Sequence, residues 1–517
     1  MVAEGSEDNN FVDKTDSYPR LLVMFRPPSR HTYGFREGDT YDLPLLELQT
    51  LIQDRQNKDI HINNFIPVIE RSKSSDKDLQ PQQQNQSRKQ MKKKKQKKNP
   101  YEASTQSLYW VKCSDNAADD IISTAVSRAI LTHASFRIQY SSSFTNDDWI
   151  NSVTNCEVEL HECLDGIDVI SMSNPNMSNE ECSNLLQTVS ILLQNQKNND
   201  LNYLQREFTL DESGILIYHC EQRSDNTTHC IHVGSRMAIG PAGTFSSPSQ
   251  TLRRTHRGIL REYALKNRFK GVTAESDIST AMEPELGFLM ANLALAGTDA
   301  GQRVMDPCCG SGSLLLYASA LGARDLIGVD SLASVWESAE DEFKRHTSMI
   351  GKRKFSSPTF FQGDVLDPTS TDCLYEANSY DAIVVDPPYN IGAPVLLAGQ
   401  DVRPNNHHHD EDDGKKGISN LAETINNVEY DTIPSILTIA RRVLVDGGRL
   451  VFFIPVRGAE EMNMTLKQLL VKKGWQISES DEQLQILFGR LQRFTPTFAR
   501  WLVCMAKSSA NDIHYTE

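Results

Sequence analysis

The run Val384-Val385-Asp386-Pro387-Pro388-Tyr389 holds the residue types most suited to chemistry in this chain. It follows Ala382-Ile383-Val384-Val385, whose apolar content is that of a strand buried on both faces. Two consecutive prolines lack the N–H groups a sheet needs, so they fix a rigid turn at the strand's carboxyl end. Such a turn aims backbone carbonyls the same way as the Asp386 carboxylate. Together these acceptors suit the two hydrogens of an exocyclic amino group, and they steer its lone pair toward a methyl sulfonium. Tyr389 then offers a flat face on which a base can stack.

Upstream, Val304-Met305-Asp306-Pro307-Cys308-Cys309-Gly310-Ser311-Gly312-Ser313 leads from a strand, through an acid and a small-residue turn, into a helix expected over Leu314 to Leu321. Small residues let the backbone approach a cofactor, and a helix N-terminus offers N–H groups to it. A dehydrogenase-type dinucleotide fingerprint needs a third glycine, and Leu315 occupies that slot. An acid just before the turn instead suits a cofactor with an ammonium group, such as the methionine end of S-adenosylmethionine. Asp330 closes the apolar run Leu326-Ile327-Gly328-Val329, 18 residues after Gly312, where an acid accepts the two ribose hydroxyls of an adenosine. Gly363-Asp364 follows Phe360-Phe361 at a position suited to the adenine amine. Each acid alone reads as a strand-end cap, whereas three in order, each closing a βα unit, read as an adenosine-cofactor site.

The elements that must position these residues are strands near 303–305, 326–329, 382–385 and 450–454, separated by helices, which together predict a mostly parallel sheet covered on both faces. The second domain is expected over 271–510, with a polar loop at 397–417 that contains the run His407-His408-His409, read as solvated rather than metal-binding. Before it, residues 1–17 read as a disordered leader and 18–236 as a smaller α/β region. Its expected strands are Leu21–Phe25, Leu108–Val111, Ser135–Ile138 and Gly166–Ile170, and its helices Leu43–Ile52, Ile121–Leu131 and Leu185–Leu193. Residues 71–99 are a disordered basic insertion ending in Lys92–Lys98, and 237–270 are a linker followed by a basic helix.

At 517 residues the chain is too long for one core. Its ten cysteines form no C-x-x-C pair, and a reduced compartment is expected: the cytoplasm, with the nucleus as alternative. No apolar run reaches the ~20 residues that cross a bilayer, so no membrane partner is expected. A net charge of −15 disfavours nucleic acid at first sight, since phosphate binding needs clustered positive charge. Charge is unevenly spread, however. Residues 88–98 and 251–270 hold 15 of the 53 basic residues and one of the 68 acids, leaving −29 on the other 486 positions. Two basic stripes on an acidic body are where a polyanion would touch, and Arg253, Arg254, Arg257 and Arg261 lie on the second.

The Asp-Pro-Pro-Tyr turn with its upstream acids resembles the amino-methyltransferases, and among them the THUMP-domain tRNA guanosine N2-methyltransferases that modify position ten of tRNA. Thr280-Ala281-Met282-Glu283-Pro284-Glu285-Leu286-Gly287-Phe288-Leu289-Met290-Ala291-Asn292 looks like that family's segment before the cofactor turn. So do Gly234-Ser235-Arg236, Ser127-Arg128-Ala129-Ile130-Leu131 and Val445-Asp446-Gly447-Gly448-Arg449-Leu450-Val451-Phe452. The resemblance implies a Rossmann-like S-adenosylmethionine-dependent domain with a seven-stranded, mostly parallel sheet, preceded by a THUMP-like RNA-binding module. It also implies that Thr280, Asp306, Gly310 and Gly312 hold the cofactor, Asp330 its ribose, Asp364 its adenine, and Asp386, Pro387, Pro388 and Tyr389 the target guanine. Its implied partners are tRNA and a small zinc-binding activator subunit. Cys308-Cys309 stand where the family has a bulkier residue and read as packing, and Asn390 to Pro394 replace the basic residues expected after the turn. The competing readings are an adenine-N6 methyltransferase acting on DNA or RNA, and a non-catalytic RNA-binding adaptor.

Overall fold

A computed structural model describes residues 21–26, 32, 35–36, 42–53, 65–67, 108–111, 117–144, 168–171, 214–223, 226–241, 282–296, 302–331, 340, 343, 356–367, 374–388, 432–475, 483–495 and 498–508. Expected features at Lys92–Lys98, Leu185–Leu193, 251–270 and 397–417, and the candidate residues Thr280, Arg253, Arg254, Arg257, Arg261 and Tyr389, lie outside the described residues. The first eight strands are β1 (Leu21–Phe25), β2 (Phe35–Arg36), β3 (Phe65–Pro67), β4 (Leu108–Val111), β5 (Thr132–Phe144), β6 (Asp168–Ser171), β7 (Gly214–Arg223) and β8 (Asn226–Ile239). Then come β9 (Arg303–Asp306), β10 (Asp325–Asp330), β11 (Thr359–Gln362), β12 (Tyr380–Val385), β13 (Leu444–Arg457), β14 (Leu484–Thr495) and β15 (Phe498–Lys507). The residues divide into two compact units, one drawn from 1–27, 60–127 and 132–257, the other from 28–59, 128–131 and 258–517.

The first unit is a seven-stranded sheet in the order β3-β4-β1-β5-β8-β7-β6. The β6–β7 pair is parallel and the other neighbours are antiparallel. Leu22, Met24, Trp110, Phe136, Ile215 and Ile217 share one buried cluster. The β7–β8 hairpin was not anticipated, and the helix expected to reach Leu131 ends earlier, spanning Ala117–Val126. Hydroxyls take part in that ending. Thr124 Oγ1 donates to Asp120 O at 2.7 Å and Ser127 Oγ to Thr124 O at 2.6 Å, a competition with the helical ladder typical of these side chains.

The second unit holds an eight-stranded sheet, β11-β10-β9-β12-β13-β15-β14-β2. Neighbours from β11 through β13 are parallel, while the β14–β15 hairpin and β2 run antiparallel. Seven of these strands follow one another in the C-terminal half of the chain, as expected, and the two-residue β2 adds an edge from near the N-terminus. Each strand expected in the C-terminal half forms because its apolar residues have neighbours on both faces: Leu450 to Ile454 are all fully buried. On one face Met305, Ile383 and Phe452 pack with Ile433, Ile436, Leu437 and Leu469. The other face is covered by the helices Pro284–Leu295 and Ser313–Ala320, both almost wholly buried.

Successive strands step outward from β9 to β10 and β11, and then the chain crosses to β12 on the opposite side of β9. That reversal opens a crevice at the carboxyl ends of β9 and β12, where ligands bind in open α/β sheets. Both sequence motifs end in it.

Candidate active site

One wall of the crevice is the turn after β9. Gly310 and Gly312 have φ of 48° and 70°, a left-handed backbone that residues with a Cβ rarely adopt, so the glycines there are required by geometry. The turn is tied to β10 at two points: Cys309 N donates to Val329 O at 2.9 Å and Gly310 N to Asp330 Oδ2 at 2.9 Å. Gly312 caps the Ser313–Ala320 helix, and the preceding segment docks on that helix. Met282 N donates to Ser313 Oγ at 3.0 Å, and Tyr317 OH to Met282 O at 2.9 Å.

Three expected cofactor acids line this wall. Asp306 is buried, with Oδ1 accepting from Cys308 N at 3.1 Å. Burial pushes its carboxyl well above the usual range, against the Cys308 N–H bond, and the charges of Asp330 and Asp386 push the same way. Asp330 sits at the end of β10, and its backbone carbonyl accepts from Gly363 N at 3.0 Å, linking the second acid to the third. Asp364 is half-buried in a tight turn, its Oδ1 accepting from Leu366 N at 2.9 Å.

Cys308 and Cys309 have no nucleophile's environment. Burial and the neighbouring aspartates push both thiols well above their ordinary value, so neither is a thiolate at neutral pH. Cys309 is a packing residue: a Cβ on Gly328 would come within 3.0 Å of its Sγ and 2.6 Å of the Phe360 ring.

The facing wall is the end of β12. Asp386, Pro387 and Pro388 leave the strand as expected, and the Asp386 side chain is 28% exposed. Its Oδ1, however, is buried without a hydrogen-bond partner. A buried acceptor left unbonded costs about 1–3 kcal/mol, so it marks a place where a donor belongs. Burial raises the Asp386 carboxyl to about 6, with Arg500 opposing.

Sequence reasoning missed Arg500 on β15, whose Nη1 lies 3.7 Å from Asp386 Oδ2. It also missed Ser311, whose Oγ is buried without a partner in the cofactor turn. Ser311 was visible as part of the small-residue motif. Arg500 carried no signal, because nothing in the local pattern of Phe498 to Lys507 points to a residue on β12.

A cationic cofactor fits these residues. Asp330 and Asp386 disfavour the charge of Asp306, which a bound positive group would relieve, and Ser311 Oγ in the glycine turn awaits a partner. Among the described residues no group of three or more metal-ligating side chains is gathered.

Strand order, a glycine turn after β9 and an acid after each of β9, β10 and β12 define the class: a Rossmann-like α/β domain with its site at the topological switch point. Comparison with known proteins adds the closer likeness. Over 182 residues the chain is 29% identical to a tRNA (guanine(10)-N(2))-methyltransferase of Dictyostelium discoideum, covering 34% of this chain and 33% of that one. It is 27% identical over 242 residues to the tRNA (guanine(10)-N(2))-methyltransferase of Schizosaccharomyces pombe, covering 45% of each. The resemblance read from the sequence is thus borne out in these relatives, and the chain spans a third to just under half of their length. No protein-family model matches. Among solved structures, TrmN from Thermus thermophilus aligns with 78% of this chain and 90% of its own at 14% identity and a TM-score of 0.31.

Proposed function

We propose that this chain is a methyltransferase that uses S-adenosylmethionine to methylate the exocyclic N2 amine of a guanosine in tRNA, at position 10. The observation that carries the reading is Asp386 Oδ1: a buried carboxylate oxygen without a donor, at the end of β12, facing a glycine turn and its acids across the switch point. Asp306, Gly310, Gly312 and Ser311 would hold the methionine end of the cofactor, Asp330 its ribose and Asp364 its adenine. When bound, the cofactor would supply an electrophilic methyl carbon on a sulfonium, a leaving group that departs as a neutral thioether.

The chain's own residues do the rest. A guanine N2 amine is a poor nucleophile because its lone pair is delocalised into the ring, so rate must come from orientation and from acceptors that favour the charge-developing nitrogen. Asp386 supplies the acceptor and takes the proton the nitrogen sheds. The prolines hold that oxygen in place, and Tyr389 offers a stacking face for a base drawn out of its stem. Arg253, Arg254, Arg257 and Arg261 would contact tRNA phosphates, the N-terminal unit would act as a THUMP-like RNA-binding module, and a small zinc-binding activator subunit would assist. The cytoplasm is the proposed place of action.

The test incubates the chain, alone and with such a subunit, with labelled S-adenosylmethionine and unmodified tRNA, DNA or protein. Label in tRNA, recovered as N2-methylguanosine, supports the reading. Label only in DNA adenine or in protein overturns it. Changing Arg253, Arg254 and Arg257 to Glu is expected to weaken tRNA binding and flatten its salt dependence.

A further inference from the structure

Arg500 is among the most constrained side chains near the crevice. It sits on β15 between two partner strands, opposite Pro455 of β13 and Gln492 of β14. Its guanidinium carbon lies 3.8 Å over the centroid of the Phe453 ring and 5.2 Å from that of Phe494. Its Nε donates to Gln492 Oε1 at 2.7 Å, and Gln492 is itself buried. An arginine stacked on an aromatic face and bonded in its own plane has little freedom to rotate. So fixed, it stops with Nη1 3.7 Å from Asp386 Oδ2, close enough for strong Coulombic attraction and too far for a good hydrogen bond.

We propose that Arg500 is a positioning residue for the reaction: clamped by Phe453 and Gln492, it sets the charge and aim of the Asp386 carboxylate without capturing it, leaving Oδ1 for the substrate amine. A bidentate arginine–aspartate pair would occupy both carboxylate oxygens and block the site. Among the described residues, a missing arginine would leave Asp386 without the cation that opposes the effect of burial. The ionisable groups interacting with it from the packed elements are Asp306 at the end of β9, Cys308 in the glycine turn and Arg500 on β15. Asp306 opposes its ionisation when charged, and among the described residues Arg500 is the cation that favours it. The inference rests on the role given to Asp386 above, which requires that carboxylate to be ionised at working pH.

Two independent readouts test it. Carboxyl ¹³C resonances of labelled aspartate, with the Asp386 signal assigned by its absence in Asp386→Asn, follow ionisation without any turnover. Arg500→Gln is expected to raise the Asp386 midpoint by about one pH unit. The acid limb of kcat for tRNA methylation should move with it, with a rate loss of about fivefold at pH 6 that nearly vanishes at pH 8.5. Arg500→Lys, which keeps the charge, should recover at least half of the displacement and guards against a folding defect in the glutamine variant. A midpoint in folded Arg500→Gln within a few tenths of a unit of wild type overturns the proposal. So does a rate loss equal at both pH values, which marks a merely structural role. If the wild-type chain methylated no tRNA the functional reading would fall, while the carboxyl titration would still decide whether Arg500 controls Asp386.

Discussion

Glu47, on the helix Leu43–Gln53, is fully buried in the second unit and gathers two distant segments. Its Oε1 accepts from Ile130 N at 2.8 Å and Asn292 Nδ2 at 2.9 Å, and its Oε2 from Leu131 N at 2.8 Å. Asn292 Nδ2 also donates to Arg128 O at 2.7 Å. Burial nevertheless dominates, raising the carboxyl from 4.5 to about 7 against those three bonds. The folded protein therefore holds this proton more tightly than the unfolded chain. The stability linked to it is fully present below about pH 4.5 and is lost as pH rises through about 7. That displacement corresponds to on the order of 3 kcal/mol, at about 1.4 kcal/mol per pH unit. Glu47→Gln keeps the shape, removes the titration and points an amide N–H₂ at a backbone N–H, a mismatch costing about 1–3 kcal/mol at every pH. In urea unfolding followed by tryptophan fluorescence (Trp475 and Trp501 lie in the same unit), the variant should be the weaker protein at pH 5. The gap should narrow by on the order of 3 kcal/mol by pH 8, because only the wild type loses the Glu47 contribution there, while the other titrating groups are shared. A gap constant from pH 5 to pH 8 would refute the reasoning, since it would mean that Glu47 holds the same charge folded and unfolded.

Asp386→Asn should lower methyl transfer to tRNA by at least about 100-fold, the scale of losing a preorganised group at a charge-developing atom, with cofactor affinity by equilibrium dialysis little changed. The wild-type rate should rise with pH through about 6, where Asp386 ionises. Gly287→Ala places a Cβ 2.3 Å from two ring carbons of Tyr317, a side chain held by its bond to Met282 O; it should cost about 1–3 kcal/mol despite alanine's better helix propensity, read as a lower melting temperature. In the first unit, His219 and His232 face each other with Nε2 atoms 3.0 Å apart, and burial lowers them to about 4 and about 3. Their neutral forms favour folding, so that this contribution to stability is intact above about pH 6.5 and declines as pH falls; by potentiometry at pH 5, unfolding of the wild type should take up as many as about two protons more than unfolding of the His219→Gln/His232→Gln variant, and no difference between them would refute the pair's neutrality.

What could be read from the sequence divides along physical lines. The strands at 303–305, 326–329, 382–385 and 450–454 were legible because a strand covered on both faces must be apolar along its whole length. The glycine turn and the Asp-Pro-Pro turn were legible because few residue types tolerate those backbones. The long β14–β15 hairpin was not: β14 mixes polar and apolar types without strict alternation, and the buried run Leu502 to Met505 of β15, apolar like the other strands, was passed over. Helix 43–53 was read correctly as a helix, but not where it docks, because Glu47 finds Ile130, Leu131 and Asn292 far along the chain.

Arg500 belongs to the same class of illegible residue for a reason that bears on function. A buried charge is tolerated only where tertiary neighbours compensate it, and those neighbours come from wherever the topology delivers them. Crossing from β9 to β12 opens the site, and β15, inserted antiparallel beside β13, brings Arg500 to the mouth of β12. The motif residues can be found one strand at a time. The charge state that the proposed acceptor role of Asp386 requires depends instead on burial and on Arg500, which comes from β15, two strands away. Changes on β15 that leave the Asp-Pro-Pro turn intact should therefore alter the pH at which the site works before they alter which ligands it binds.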